Sequence, residues 1–109
     1  MKPNESEEYV KLLAIRVRLF GVFRSAAKAS EVEVSVREVN PTVKSVISQL
    51  LSQESFASLR QLLLDAETAD PRPNALIMVS GREIGTLDGL ETKLNANDEL
   101  SLLPVAHGG

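Results

Sequence analysis

Two stretches of this sequence alternate apolar and polar residues with a strict period of two. Leu13, Ile15, Val17 and Leu19 interleave with Ala14, Arg16, Arg18 and Phe20, and Val32, Val34 and Val36 interleave with Glu31, Glu33, Ser35 and Arg37. Successive side chains of a strand point to opposite faces, so each stretch reads as a strand buried on one side. The intervening Gly21, Ser25, Ala26 and Ala27 read as a loop or short turn. That spacing lets the two strands pair as an antiparallel hairpin.

A sheet apolar on one face needs a second layer to cover it. The period changes after Asn40-Pro41-Thr42, where Asn40 or Thr42 can cap a helix and Pro is tolerated in its first turn. Val43, Val46, Ile47, Leu50 and Leu51 follow at i, i+3, i+4, i+7 and i+8, one stripe on a helix of about three turns. Phe56, Leu59, Leu62, Leu63 and Ala66 predict a second, shorter helix, with Phe56, Leu59 and Leu63 as core. Asp70-Pro71-Arg72-Pro73-Asn74 cannot continue it, because the prolines lack donors and force extended neighbours. Residues 76–79 then predict a short strand, Ser80-Gly81 a turn, and 82–85 an edge strand. A single helical turn fits 90–94, between the turn signals Asp88-Gly89 and 95–98. Residues 99–105 form the last strand, with Leu100 and Leu102 on one side and Ser101 and Leu103 on the other.

This order predicts an α+β fold, a β-grasp roll with a mixed five-stranded sheet over one main helix. A split βαβ ferredoxin-like fold is the alternative. It requires a full second helix before the last strand, where only 90–94 is available. A length of 109 residues suits one domain. We divide it into a polar N-terminal tail (1–12), a β-grasp domain (13–105) and a C-terminal tail (106–109).

Composition narrows the chemistry. The chain has no Cys, which removes disulfides, thiolate metal sites and cysteine nucleophiles. Its one His, His107, lies in the C-terminal tail, a poor place for a general base or a metal site. No metal ligand set and no catalytic residue is expected, and no Gly-rich phosphate loop stands out. Twelve Lys and Arg against fifteen Asp and Glu give a net charge of −3, which disfavours direct nucleic-acid binding. The longest apolar run, 75–79, is far below the ~20 residues of a membrane span. The first residues, with Glu5, Glu7 and Glu8, lack a signal core. The expectation is a soluble, cytoplasmic protein that does not touch a membrane.

The chain closes as Pro104-Val105-Ala106-His107-Gly108-Gly109. A terminus without β-carbons is slim and conformationally free, so it can thread a narrow channel in another enzyme. Its α-carboxylate is then the reactive group. Adenylation makes a carboxylate oxygen a leaving group, and the activated acyl can pass to sulfide, a thiol or an amine. Such a scheme uses no side chain of this protein.

Val17-Arg18-Leu19-Phe20-Gly21, the helix after Asn40-Pro41-Thr42-Val43, and Asn97-Asp98-Glu99-Leu100-Ser101-Leu102-Leu103-Pro104-Val105 closing on Gly108-Gly109 resemble the ubiquitin-like sulfur carriers. These include the small subunit of molybdopterin synthase, the small archaeal modifier proteins and the ubiquitin-related modifier. The resemblance spans about residues 13–109. It implies strand order 2-1-5-3-4. It also implies a partner, a ubiquitin-activating-type enzyme that adenylates Gly109 using ATP and magnesium, with no cofactor bound by this chain. The product is a C-terminal thiocarboxylate or an isopeptide to a lysine of a target protein. Pro104, Val105, Ala106, His107 and Gly108 are the channel-threading tail in this reading.

Further partners implied are the molybdopterin synthase large subunit or a transfer-RNA-thiolating enzyme. The molybdopterin-synthase pattern closes as Phe-Pro-Pro-Val-x-Gly-Gly. Here Leu103 replaces the first proline and His107 is an extra residue. An ending in His-Gly-Gly is similar to the ubiquitin-related modifier, as is Arg72-Pro73-Asn74-Ala75-Leu76-Ile77. The departure weighs against a dedicated molybdopterin synthase subunit, which stands as an alternative beside a non-covalent β-grasp binding module. Finally, if Ile15, Val17 and Leu19 face the helix, then Phe20, Leu103 and either Leu76 or Met78 form an exposed apolar patch for the partner. We assign Met78 to it. The basic Arg16 and Arg18 are expected to form a solvated strand face.

Overall fold

A computed structural model describes residues 12–106; the expected N-terminal tail lies outside them but for Leu12. The strands are β1 (Leu13–Leu19), β2 (Glu31–Val36), β3 (Ala75–Val79), β4 (Arg82–Glu83) and β5 (Glu99–Pro104). The α-helices are α1 (Gly21–Ala27), α2 (Val43–Leu51) and α3 (Ala57–Leu63). One five-stranded sheet has the order β2-β1-β5-β3-β4. β1 pairs antiparallel with β2, placing Ile15 opposite Val34 and Val17 opposite Val32. β5 runs parallel to β1, with Leu19 opposite Leu102, and antiparallel to β3, with Leu76 opposite Leu103. This is the mixed β-grasp sheet and strand order expected from the sequence.

The alternation decides the layers. Ile15, Val17, Leu19, Val34, Ile77, Leu100 and Leu102 are buried, and the stripe Val43, Val46, Ile47, Leu50 and Leu51 of α2 is buried with them in one core. Both ends of α2 are satisfied by side chains. Thr42 is the N-cap: its hydroxyl accepts the Ser45 N–H at 3.1 Å, and the Thr42 N–H donates to Ser45 Oγ at 2.9 Å. At the other end Arg60 donates through Nε, at 3.0 Å, and through Nη2 to the Leu51 carbonyl. Such caps occupy groups that the helix itself leaves unpaired. Thr42→Ala should therefore lower stability by about 1 kcal/mol in urea denaturation. Leu94 N–H to Pro41 O (2.8 Å) and Val43 N–H to Thr92 O (2.9 Å) tie the chain before β5 to the start of this helix.

Four elements differ from the sequence expectation. The stretch after Gly21 is the helix α1 and not a loop. α3 stops at Leu63, and Ala66 lies beyond it, because the Asp65 carboxylate turns the chain by accepting the N–H groups of Glu67 (3.1 Å) and Thr68 (3.0 Å). The edge strand β4 has two residues only, followed by a 3-10 turn at Ile84–Thr86, and a 3-10 turn at Gly89–Glu91 stands in the region expected to make one helical turn. Among the described residues, no helix is long and apolar enough to cross a membrane.

Candidate functional site

The C-terminal residues leave the fold where β1 and β3 stop supporting β5. β1 ends at Leu19, and the Phe20 N–H still donates to the Leu102 carbonyl at 3.3 Å. The Phe20 carbonyl does not continue the ladder; it accepts the N–H of Phe23 (3.0 Å) and Arg24 (3.3 Å), opening α1. Pro104, the last residue of β5, has no N–H to offer on that side, so the strand ends without an orphan donor. Across the other edge Val105 N–H donates to the Asn74 carbonyl at 3.0 Å, and Asn74 Nδ2 donates to the Leu63 carbonyl at 3.1 Å. Pro104, Val105 and Ala106 are exposed. His107, Gly108 and Gly109, the rest of the expected tail, lie outside the described residues.

Apolar surface gathers at this exit. Of the large apolar residues that stand exposed, Val22 (53%), Leu62 (44%), Leu76 (41%) and Val105 (42%) all line two grooves at the tail root. One, of about 420 Å³, runs between α1 and α3 and is lined by Val22, Leu62, Pro104 and Val105 among others. The second, of about 270 Å³, lies on the β3–β4 side, with Leu76, Ile84 and Val105. Val105 belongs to both. A separate cleft of about 420 Å³ lies away from the tail root, with Ile47, Leu51, Leu64 and Leu90 along its walls and the cations Lys44 and Arg60.

The outer face of the sheet divides in two. On the β1–β2 half, Arg16 and Arg18 lie opposite Glu33 and Glu31, and both reach Glu99 at 3.6 Å. These exposed pairs contribute little stability, but they cancel the basic stretch of β1. On the β3–β5 half, Leu103 lies directly opposite Leu76, whereas Met78 lies opposite Ser101. Leu103, Met78 and Phe20 are half-buried and Leu76 is exposed. The Arg18 guanidinium sits 5.2 Å from the centre of the Phe20 ring, which places the ring at the seam between the halves. The structure thus puts Leu76 next to Leu103, with Met78 one step further along β3. Sequence reasoning missed Val22 and Leu62. Leu62 was absorbed into a helical apolar stripe, and Val22 lay in a segment read as a loop.

Titratable groups near the tail root serve the turn that follows α3. Hydrogen bonds from the Thr68 N–H and hydroxyl, and from the Glu67 N–H, hold the Asp65 carboxyl below its usual range. Arg72 donates through Nη2 to Asp70 Oδ2 at 2.6 Å and through its N–H to Oδ1 at 2.8 Å, lowering the Asp70 pKa and raising that of Arg72. These shifts have structural partners within the turn, where Asp65 also borders the α1–α3 groove and Arg72 the β3–β4 one. Among the described residues, no group of three His, Cys, Asp or Glu side chains is placed to hold a metal ion.

The chain is 33% identical over 98 residues to a candidate sulfur carrier protein of Archaeoglobus fulgidus, covering 89% of this chain and 100% of that protein. The solution structure of the small archaeal modifier protein 1 from Methanosarcina acetivorans superposes with a TM-score of 0.75 at 26% identity, over 91% of this chain and 99% of that one. A chain of the BexX/CysO complex of Amycolatopsis orientalis superposes with a TM-score of 0.67 at 23% identity, covering 88% and 100% of the two chains. No protein-family model matches the sequence.

Proposed function

The chain belongs to the family of ubiquitin-like sulfur carriers and modifiers, and from that premise we propose that its working group is the C-terminal carboxylate of Gly109. In this reading the protein is a substrate and carrier, and a ubiquitin-activating-type enzyme supplies ATP, magnesium and every catalytic group. A carboxylate oxygen of Gly109 attacks the α-phosphorus of ATP, and pyrophosphate leaves. Sulfide then attacks the acyl carbon of the adenylate and AMP leaves, giving a thiocarboxylate; a lysine amine attacking the same carbon, with AMP again the leaving group, gives an isopeptide. The extra His107 lengthens the tail relative to the molybdopterin-synthase pattern. That favours transfer-RNA thiolation or lysine conjugation over a dedicated molybdopterin role, because reach sets where the carboxylate lands.

The observation that carries this reading is the exit itself: β5 delivers Pro104, Val105 and Ala106 out of the sheet between two apolar grooves. A partner that closes over the tail meets Val105 first and then the Leu76–Leu103 pair, Phe20 and Met78. Clustered exposed apolar side chains of this kind mark partner surfaces. The CysO-type protein of Amycolatopsis orientalis is seen in complex with BexX, and we assign a protein partner to this chain in the same way. Phe20→Ala and Leu103→Ala should each weaken binding of the activating enzyme by about 1–2 kcal/mol, roughly five- to thirtyfold in Kd. Titration calorimetry reads this directly, and wild-type affinity in both variants would remove the patch from the account. The activation step is tested by ATP–pyrophosphate exchange in the presence of the chain and the enzyme; exchange that does not depend on the chain would overturn the reading.

A further inference from the structure

Gly21 opens α1 with φ = +55°, and a β-carbon built on it would stand 2.8 Å from Pro104 Cγ and 3.5 Å from Pro104 Cδ. Ordinary contact begins near 3.4 Å, so any larger residue must displace Pro104 by about 0.6 Å. Pro104 has no free side-chain rotation: its Cγ can shift only by a change of ring pucker or together with the main chain, to which the ring is bonded at both ends. Whatever the pucker does not absorb moves the main chain at the residue where β5 ends. The next residue is held from the opposite side, by the Val105 N–H donated to the Asn74 carbonyl at 3.0 Å. The tail root is thus gripped between the bare Cα of Gly21 and the carbonyl of Asn74. In the proposed reading residues 106–109 link Val105 to the activated Gly109 carboxylate, a reach of at most about 14 Å when extended.

We infer that Gly21 is a positioning residue for the tail: its missing β-carbon forms the socket for Pro104 and so sets the line along which Val105 and Ala106 leave the fold. This rests on the proposal that Gly109 is the activated group, because a short tail that must reach a fixed phosphorus has little slack to absorb an error at its root. Displacement near 1 Å can cost up to about a hundredfold in rate when reacting groups are misaligned. Gly21 touches no reacting atom and acts only through Pro104.

Gly21→Ala tests this; Ala69 at φ = 60° and Lys28 at φ = 58° are residues with a β-carbon that adopt the same backbone region elsewhere in the fold. The substitution has two separable consequences. Left-handed strain at Ala persists whatever Pro104 does, and should lower the melting temperature by about 4–8 °C. The displacement of Pro104 disappears if the ring is removed, so Pro104→Ala is the relieving second change. We expect Gly21→Ala to slow adenylate formation about tenfold at saturating chain, with unchanged affinity for the activating enzyme. Gly21→Ala/Pro104→Ala should recover the rate to within about twofold of Pro104→Ala alone, while its melting temperature stays below that of Pro104→Ala. Amide shifts and residual dipolar couplings of Val105 and Ala106 should move in the single variant and return in the double one. A Gly21→Ala protein that is adenylated at the wild-type rate, or a double variant that stays slow, overturns the inference. Wild-type protein that is never adenylated overturns the functional reading instead, and the couplings of Val105 and Ala106 still decide whether Gly21 sets the root.

Discussion

Deleting Gly108 and Gly109 should abolish adenylation, with a fall of at least about a thousandfold, or roughly 4 kcal/mol of transition-state stabilisation. The deletion leaves a carboxylate on His107, two residues short of the intended site and on a residue with a bulky side chain. Neither the shortened reach nor the imidazole side chain suits a narrow channel built for glycine. Stability should stay within about 0.5 kcal/mol of wild type. The core closes around Leu100 and Leu102, β5 ends at Pro104, and the clamp to Asn74 is made by Val105. Chemical denaturation beside an adenylation assay separates the effects. A deletion protein that remains as active as wild type would show that a non-covalent surface carries the function.

Phe23→Ala should produce the largest loss of stability among single substitutions near the exit, about 3–5 kcal/mol. Phe23 is the one buried side chain of α1, 1% exposed. The seven-residue helix is too short to hold itself together in water, so its anchorage depends on that ring and on the Phe20 carbonyl that accepts from Phe23 and Arg24. A domain of ordinary stability, about 5–15 kcal/mol, loses between about a fifth and all of it by such a change. Urea unfolding should show a lower midpoint with a similar slope. Because α1 also carries Gly21 and Val22, activation should fall in the folded fraction of this variant as well. A midpoint shift worth less than 1 kcal/mol would mean that α1 is held by something other than Phe23.

Physical reasons separate what was legible in the sequence from what was not. The period of two in β1 and β2 and the stripe of α2 repeat a single facing rule over many residues, so Ile15, Val34 and Leu50 could be placed inside from local pattern alone. The N-cap of α2 was readable only as far as two candidates, Asn40 and Thr42; it is Thr42, directly before the first apolar-periodic residue. α1 was not readable: it starts at a glycine, has no capping side chain and buries one residue, so no period accumulates. Its stability comes from tertiary contact, chiefly with α3 and the end of β5. Alternation placed Leu76 and Met78 on the same outer face but could not choose between them. Register chooses, and it puts Leu76 opposite Leu103 and Met78 opposite Ser101. Register between distant strands is a non-local quantity. The grooves at the tail root, and with them Val22 and Leu62, depend on how α1 and α3 meet. The chemistry of the last residues was legible as a pattern, while the geometry that launches them required the fold.

In the proposed function the carboxylate of Gly109 is activated and then carries sulfur. Intact-protein and C-terminal-peptide mass spectrometry, after incubation with the activating enzyme, ATP, magnesium and a sulfur donor, tests it most directly. The account predicts a mass increase equal to one oxygen-to-sulfur exchange, confined to the peptide containing Gly109 and dependent on ATP. An unchanged C-terminal mass under conditions in which the enzyme modifies its own established carrier would contradict it.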